Sequence, residues 1–300
     1  MFKKYCVAFT ISAILFTAVP SLAGAALVNT NVNVSVTAID QIGEYGALNW
    51  KQGVVEGVGT GVPSYEADYP AQARAMAKRA AVVDAQRNLL EAIHGVQVTA
   101  ETTVQNFAIV DDTIKTKVSG IVKGAKIVHE QQFADGTYQI IMRINLFGHG
   151  SVAEAITNPV NSTTPDLLLS PSPAYKPAEL PLTVSSGYTG LVIDVTGLPL
   201  TRAMSPVVFD DTGRKIYGHE NIIPQYVISQ GMIDYMCTPE DLRTLELGQS
   251  RAGTKPITVK ALEMRDHNVN IIISQADADK ILAANMQDNF LMQARVCVRQ

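Results

Sequence analysis

Cysteine is scarce in this sequence, and the motifs that metal and redox chemistry need are missing. The 300 residues include three cysteines and five histidines, with no C-x-x-C pair, no H-x-x-x-H pair and no G-x-S-x-G turn. These absences weigh against structural zinc, thiol redox catalysis and serine-hydrolase chemistry. We therefore predict a protein that is not an enzyme and that has no metal, no cofactor and no catalytic residues.

Strong positive charge is also absent, because the formal net charge at pH 7 is −4. Nucleic acid and anionic lipid attract basic surfaces, so this charge argues against both as partners. The first 25 residues have a charged start at Lys3 and Lys4, an apolar run from Val7 to Val19, and Ala23-Gly24-Ala25 as a cleavage site. This pattern predicts an export signal over residues 1–25.

The apolar run of this signal is short for a bilayer span, so an uncleaved anchor is the weaker alternative. We expect a mature chain with no transmembrane segment, exported to the periplasm or cell envelope of a bacterium. Cleavage would remove Cys6 and leave Cys237 and Cys297, which an oxidising compartment permits to pair. Such a disulfide would be worth about 4 kcal/mol in the chain-entropy model, and two buried free thiols are the alternative.

The segment Pro70 to Ile93 predicts one long helix, since proline begins it, alanine and other helix formers fill it, and His94-Gly95 follows. At 100° per residue its larger apolar side chains fall on one arc, which we expect to lie on a sheet. This arc contains Ala75, Met76, Val82, Val83, Leu89, Leu90 and Ile93. The opposite side, with Arg74, Lys78 and Asn88 among alanines, is the candidate interaction face.

Arg79 and Gln86 fall inside the expected apolar arc, seven residues apart. A buried guanidinium needs a partner, so we predict a buried polar contact here. Either Arg79 pairs with Glu101 or Glu130 on the sheet, or its stem packs while its head reaches the edge. This structural reading is favoured over a ligand-binding arginine.

The chain predicts an α+β fold of two small sandwich domains separated by a proline-rich linker. Six of the fourteen prolines lie between Asn158 and Pro181. We expect an N-terminal arm or strand over 26–52, a first domain over 53–150, a linker over 151–184 and a second domain over 185–300. The first domain reads as β-α-β-(α)-β-β, with one long helix packed on a sheet.

Three predictions concern local structure in the first domain. The glycine-rich strand Gly53 to Val62 is interpreted as a place where helix and strand pack closely, since it does not enter a helix as a dinucleotide fingerprint would. Val96 to Val104 is expected to be a strand and Thr113 to Val122 a short helix. Two further strands are expected around the turn Ala134-Asp135-Gly136.

In the second domain we expect strands alternating with short helices, two of which start at Thr238 and Ser274. Asp210-Asp211-Thr212-Gly213 is typical of a hairpin turn rather than of a calcium loop. One cluster is a candidate for acid–base or metal chemistry, although solvated side chains are the favoured interpretation. It comprises Asp210, Asp211, His219, Glu220 and Asp234.

Three stretches carry a family resemblance. They are EGVGTGVP, PAQARAMAKRAAVVDAQRNLLEAIHGVQV and SGIVKGAKIVHEQQFADGTYQIIMRINL. Together they resemble the twenty-kilodalton outer-membrane lipoprotein (Lpp-twenty) family over roughly Val54 to Phe147. That resemblance implies an envelope protein, associated in some members with the outer-membrane side of flagellar motors and with motility. It implies no catalytic residues, and this sequence lacks the family's lipid-bearing cysteine.

The second half, with YTGLVIDVTGLPLTRAMSPVVFDDTGRKIYG, resembles a domain that follows that module in uncharacterised exported proteins. Two hypotheses for function result. The first is a non-catalytic envelope protein that acts in assembly, with envelope or flagellar proteins or further copies of itself as partners. The second is a small-ligand or glycan-binding module, with a pocket in the second domain lined by groups such as Arg202, His219 and Tyr235.

Overall fold

The long helix predicted from the alanine-rich segment is present in the computed structural model. The structure describes residues 38–64, 69–157 and 187–300, and all of these belong to one compact unit. The predicted export signal, residues 26–37 of the predicted arm and residues 158–184 of the predicted linker lie outside the described residues. Within the described ranges the fold is α+β, as predicted.

The first half forms one antiparallel five-stranded sheet in the order β1-β2-β3-β5-β4. Its strands are β1 Ile39–Ile42, β2 Gly46–Asn49, β3 Val54–Gly61, β4 Lys126–Gln132 and β5 Tyr138–Asn145. Its helices are α1 Pro70–His94, α2 Val104–Val110, α3 Asp112–Lys123 and α4 Val152–Ile156. β1 and β2 come from the segment predicted as an arm or strand, and α4 lies within the segment predicted as the start of the linker.

The strand predicted at Val96 to Val104 is wrong. This segment folds into a tight loop closed by one isolated bridge between Gln97 and Thr103, and α2 begins at Val104. The Gln97 side chain also donates to the carbonyl of Ala100 at 3.3 Å. These local hydrogen bonds satisfy polar groups that a sheet partner would otherwise need to satisfy, which is why alternation alone misled.

Helix α1 packs closely on β3 because that strand presents glycines to it. A Cβ added at Gly59 would lie 2.6 Å from the Ala85 Cα, and nearer still to the Ala85 nitrogen and the Ala81 carbonyl oxygen. One added at Gly57 would lie 2.6 Å from the Cα of Leu89. Glycines two residues apart on β3 therefore face positions four residues apart on α1. The interpretation of close helix-to-strand packing at these glycines is confirmed.

This close packing also decides which side of α1 is buried, and the arc predicted to face the sheet is wrong in part. The buried side chains of α1 are Ala77, Ala81, Ala85, Asn88, Leu89, Ala92 and Ile93. Met76 and Val83, expected against the sheet, are 50% and 59% exposed. Only small side chains fit where the helix lies closest to the glycine strand, so Ala77, Ala81 and Ala85 turn inward there and Met76 and Val83 turn outward.

The second half builds two four-stranded sheets. A parallel sheet has the order β10-β6-β13-β9, and a mixed sheet has the order β11-β12-β7-β8. The strands are β6 Gly190–Asp194, β7 Val208–Asp210, β8 Lys215–Tyr217, β9 Asp234–Met236, β10 Pro256–Lys260, β11 Glu263–Arg265, β12 Asn270–Ile273 and β13 Val296–Arg299. The helices are α5 Pro224–Gln230, α6 Pro239–Glu246 and α7 Gln275–Asp288.

Both helices predicted from capping signals in this half are confirmed. The Thr238 side chain accepts a hydrogen bond from the Asp241 amide, and Asp241 accepts one from the Thr238 amide, which completes a capping box at α6. At α7, Ser274 accepts from the amide of Asp277 at 3.1 Å. The hairpin turn between β7 and β8 is also present, with Asp210 accepting from the Thr212 and Arg214 amides.

The two halves share one hydrophobic core rather than two isolated ones. Leu48, Trp50 and Leu146 from the first half join Leu191, Met232 and Tyr235 from the second in a single buried cluster. Main-chain hydrogen bonds also cross between the halves, from Met204 N to Gln97 O at 3.0 Å and from Gly148 N to Ile228 O at 2.7 Å. This packing fixes the halves against each other and creates a contact region, called the seam below.

Candidate interaction face and seam cleft

The side of α1 that points away from the sheet carries an exposed apolar row, called the outer stripe below. It consists of Tyr69, which precedes the helix, with Met76, Ala80 and Val83. Met76, Ala80 and Val83 are spaced by four and three residues, the spacing that keeps side chains on one helical face. A groove of about 560 Å³ runs beside the stripe, lined also by Arg79 and Arg87.

The residues predicted to form the interaction face are not brought together on this surface. Asn88 is only 5% exposed, and its side-chain amide donates to the carbonyl of Val58 at 2.7 Å. Lys78 pairs with Glu130 of the edge strand β4 at 2.8 Å. Arg74 is exposed near the start of the helix. The prediction was wrong for Asn88, because the alanine side of the helix faces the sheet.

The buried polar contact predicted for Arg79 and Gln86 is also wrong. Arg79 is exposed and Gln86 is half-buried, and Lys78 rather than Arg79 holds Glu130. Both errors have one cause, since α1 is rotated about its axis from the predicted orientation, which moves Met76, Arg79 and Val83 outward and Asn88 inward. Arg79 instead lines the groove beside the outer stripe.

Side-chain contacts between the halves also hold the seam together. Arg202 donates to Asp40 at 2.8 Å, Lys51 forms an ion pair with Asp241, and Trp50 meets Tyr235 edge to face at 5.4 Å between ring centroids. The Tyr235 hydroxyl donates to the carbonyl of Ala203 at 2.8 Å and accepts from its amide at 3.1 Å. The contacts of Arg202, Lys51 and Trp50 join residues from opposite sides of the proline-rich segment. The two hydrogen bonds with Ala203 hold the Tyr235 ring in position for its contact with Trp50.

Lys51 and Asp241 carry opposite charges, and the Asp241 side chain is buried while that of Lys51 is partly exposed. Burial alone raises the pKa of Asp241, but the Lys51 ammonium and the amides of Thr238 and Cys237 outweigh it, so the pKa of Asp241 is lowered. Burial likewise opposes the charged form of Lys51, and Asp241 and Asp234 together raise its pKa. Both groups therefore stay ionised at neutral pH, as the ion pair requires.

A cleft of about 320 Å³ opens along this seam, and we call it the seam cleft. The first half contributes the turn from Trp50 to Gly53 and the end of β5 at Asn145 and Phe147. The second half contributes Ser229 and Gln230 at the end of α5, the start of β9, and Arg251. Sequence patterns did not predict this site, because its walls come from segments nearly two hundred residues apart. Trp50, the single tryptophan of the chain, was the one available signal.

Of the pocket residues predicted for the second half, Arg202 and Tyr235 both lie at the seam, while His219 has different contacts. His219 sits in the turn after β8 and lies 3.1 Å from Glu220, which also pairs with Lys215. Arg202 donates to the Cys237 sulfur at 3.3 Å and to the Gln300 side chain at 2.8 Å. The three residues therefore do not share one contact network.

The predicted acid–base cluster is likewise divided among separate structural roles. Asp210 is fully buried and holds Arg214 at 2.8 Å, and Asp279 holds the same guanidinium at 2.6 Å. Asp211 accepts from the first amide of α7 at 3.0 Å, and Asp234 lines the seam cleft. Among the described residues, no group of three or more His, Cys, Asp or Glu side chains is placed to hold a metal ion.

Cys237 and Cys297 are free thiols in the structure, so the disulfide alternative is not what the structure shows. Cys297 lies in the middle of the parallel sheet, where burial raises its pKa to about 11. Burial also raises the pKa of Cys237, with Arg202 acting in the opposite direction. Both groups are therefore protonated at neutral pH, which disfavours nucleophilic thiolate chemistry.

Within the ranges that the structure describes, no helix has both the length and the apolar character that crossing a bilayer requires. Comparison with known families matches residues 190–299 to the family described as Treponema pallidum Tp0624, second domain. The match covers β6 through β13 and agrees with the resemblance expected for the second half. No curated protein matches the sequence. The resemblance of Val54 to Phe147 to the Lpp-twenty family stays a prediction.

Proposed function

We propose that this chain is an exported, non-catalytic protein of the cell envelope that acts in protein assembly through the outer stripe of α1. The resemblance to the Lpp-twenty family supports a search for its partners among outer-membrane and flagellar proteins. The export signal predicted over residues 1–25 supports the location.

The observation that carries this proposal is the exposure of the outer stripe on an otherwise tightly held helix. The opposite face of α1 is fixed by main-chain contact with β3, so Met76 and Val83 cannot turn inward without breaking that contact. An exposed apolar patch rimmed by charged groups is typical of an interaction site.

The charges beside the stripe indicate what kind of surface would fit. The groove lining has two guanidinium groups, Arg79 and Arg87, and one carboxylate, Asp84. Asp84 already accepts from Arg87 at 2.7 Å and from the Thr60 amide at 3.0 Å. Arg79 therefore offers a cation without a described partner. A second copy would bring its own arginines to this groove, whereas an amphipathic helix of another protein with acidic flanks would complement it.

A site-specific photo-crosslinker in place of Met76, used in cells that make the full chain, would test this proposal. We expect a discrete adduct with an envelope protein, identified by mass spectrometry and joined through an amphipathic segment that carries acidic residues. Adding Arg79→Glu to the crosslinking chain should reduce the adduct yield at least tenfold, since it places like charges in contact.

Lys115, exposed on α3, supplies the matched control. The crosslinker at Lys115 should give no such adduct, and Lys115→Glu should leave the Met76 adduct unchanged. Equal adducts at both positions, or adducts only between copies of this chain, would contradict the proposal of an acidic helical partner.

A further inference from the structure

The seam cleft is built before any ligand arrives, because its walls are tied by contacts on both sides. Lys51 is held by Asp241, and Trp50 rests its ring against Tyr235. Arg251 donates to the carbonyl oxygens of Gly231 and Gln230, which fixes the end of α5. A ligand that binds here would spend little free energy on ordering the walls.

Three polar side chains of the cleft remain uncommitted. Within the described residues, the side chains of Gln52, Asn145 and Asp234 have no hydrogen-bond partner. Gln52 and Asn145 are exposed and Asp234 is half-buried at the start of β9. Each primary amide both donates and accepts, and the carboxylate accepts more than one hydrogen bond, so this trio suits hydroxyl groups.

An aromatic side chain forms an apolar part of the same cleft. Phe147 is half-buried, and its ring lies so close to Gly231 that a Cβ there would come within 2.5 Å of the ring. Gly231 also has a positive φ of 73°, which glycine adopts without strain. The ring is therefore fixed in place, with an apolar surface beside the three polar side chains.

The charges of the cleft cancel, which indicates the charge class of its ligand. Lys51 is balanced by its ion pair with Asp241, and Arg251 lines the same cleft as the Asp234 carboxylate. A cationic ligand would meet Lys51 and Arg251, and an anionic one would meet Asp234. The volume of about 320 Å³ lies at the small end of the range for ligand sites.

We propose that the seam cleft binds a neutral, hydroxyl-rich ligand of saccharide class, held by Gln52, Asn145 and Asp234 with Phe147 against its apolar face. The site is independent of the outer stripe on α1, so either proposal can fail without the other. It joins both halves of the chain, unlike a pocket confined to the second half.

Isothermal titration calorimetry on the mature chain, with neutral, cationic and anionic sugars as probes, tests this assignment. Glucose, maltose, N-acetylglucosamine and N,N′-diacetylchitobiose are the neutral probes, glucosamine is the cation and glucuronate the anion. We expect at least one neutral probe to bind at millimolar or lower concentration and at least tenfold more tightly than both charged probes. Asp234→Asn and Asn145→Ala should each weaken that binding at least tenfold.

Asp112→Asn is the matched control, since Asp112 is exposed at the start of α3 and has no place in the cleft. It should bind like the unmodified chain. Asn145 is exposed, so Asn145→Ala should fold normally, and an unchanged melting temperature would confirm this. Failure of all four neutral probes, tighter binding of a charged probe, or undiminished binding by both cleft variants would overturn the proposal.

Discussion

Replacing Gly59 by alanine tests the packing between α1 and β3 that orients the outer stripe. The new methyl would lie 2.6 Å from the Ala85 Cα and closer to two further main-chain atoms, none of which can rotate away. Overpacking costs about 1–3 kcal/mol where side chains can adjust, so we expect about 3 kcal/mol or more here. For a chain of this size that corresponds to a fall in melting temperature of roughly 5 °C or more.

The assay is thermal unfolding followed by circular dichroism, with Gly120→Ala as the matched control. Gly120 lies within α3, and an added Cβ there would meet nothing within 4 Å. Alanine should stabilise that helix by up to about 1 kcal/mol. Ala85→Gly should not rescue Gly59→Ala, because the obstructing atoms belong to the main chain. If Gly59→Ala and the unmodified chain have the same melting temperature, close packing on β3 is not what turns the alanine face of α1 inward.

Three further predictions concern the seam and its surroundings. Asp241→Ala should lower the free energy of unfolding by about 2–4 kcal/mol in urea titrations, because it leaves buried amides and Lys51 without their acceptor. Tyr235→Phe should cost about 1–3 kcal/mol in the same assay, since both main-chain groups of Ala203 lose their partner. Burial lowers the pKa of His94 below its usual 6.5, so the unfolded chain takes up the proton first, and stability should fall as pH drops below 6.5. His94→Gln should remove that part of the pH dependence, whereas an unchanged slope would contradict it.

Local signals in the sequence predicted the elements well where one residue type has one structural role. The capping residues Thr238 and Ser274 placed α6 and α7, and the glycine after Asp135 placed the hairpin between β4 and β5. The side of α1 that faces the sheet was not predictable from apolar periodicity. Which side faces the sheet depends on the space between α1 and β3, and the glycines of β3, which lie outside the helix segment, set that space.

The seam could not be predicted from sequence patterns either. Phe147 and Arg251 carry no local signature, and their meeting with Trp50 depends on how the sheets pack. The cluster predicted around His219 was wrong for a different reason. Residues that lie near one another in the sequence need not contact the same partners in the fold. Proline density between Asn158 and Pro181 indicated a break in regular structure, yet the halves on either side of it share a core.

Strand β13 lies between β6 and β9, inside the parallel sheet, although it is the last strand along the chain. The sheet is therefore incomplete until residues 296–299 have been made. The pairing of β6 with β13 joins residues about a hundred positions apart in the sequence. The Asp40–Arg202 pair adds a contact between residues 162 apart. Folding dominated by such distant pairings is slow. Until β13 pairs with both of its neighbours, β6 and β9 lack the strand that joins them, so this sheet assembles late in folding.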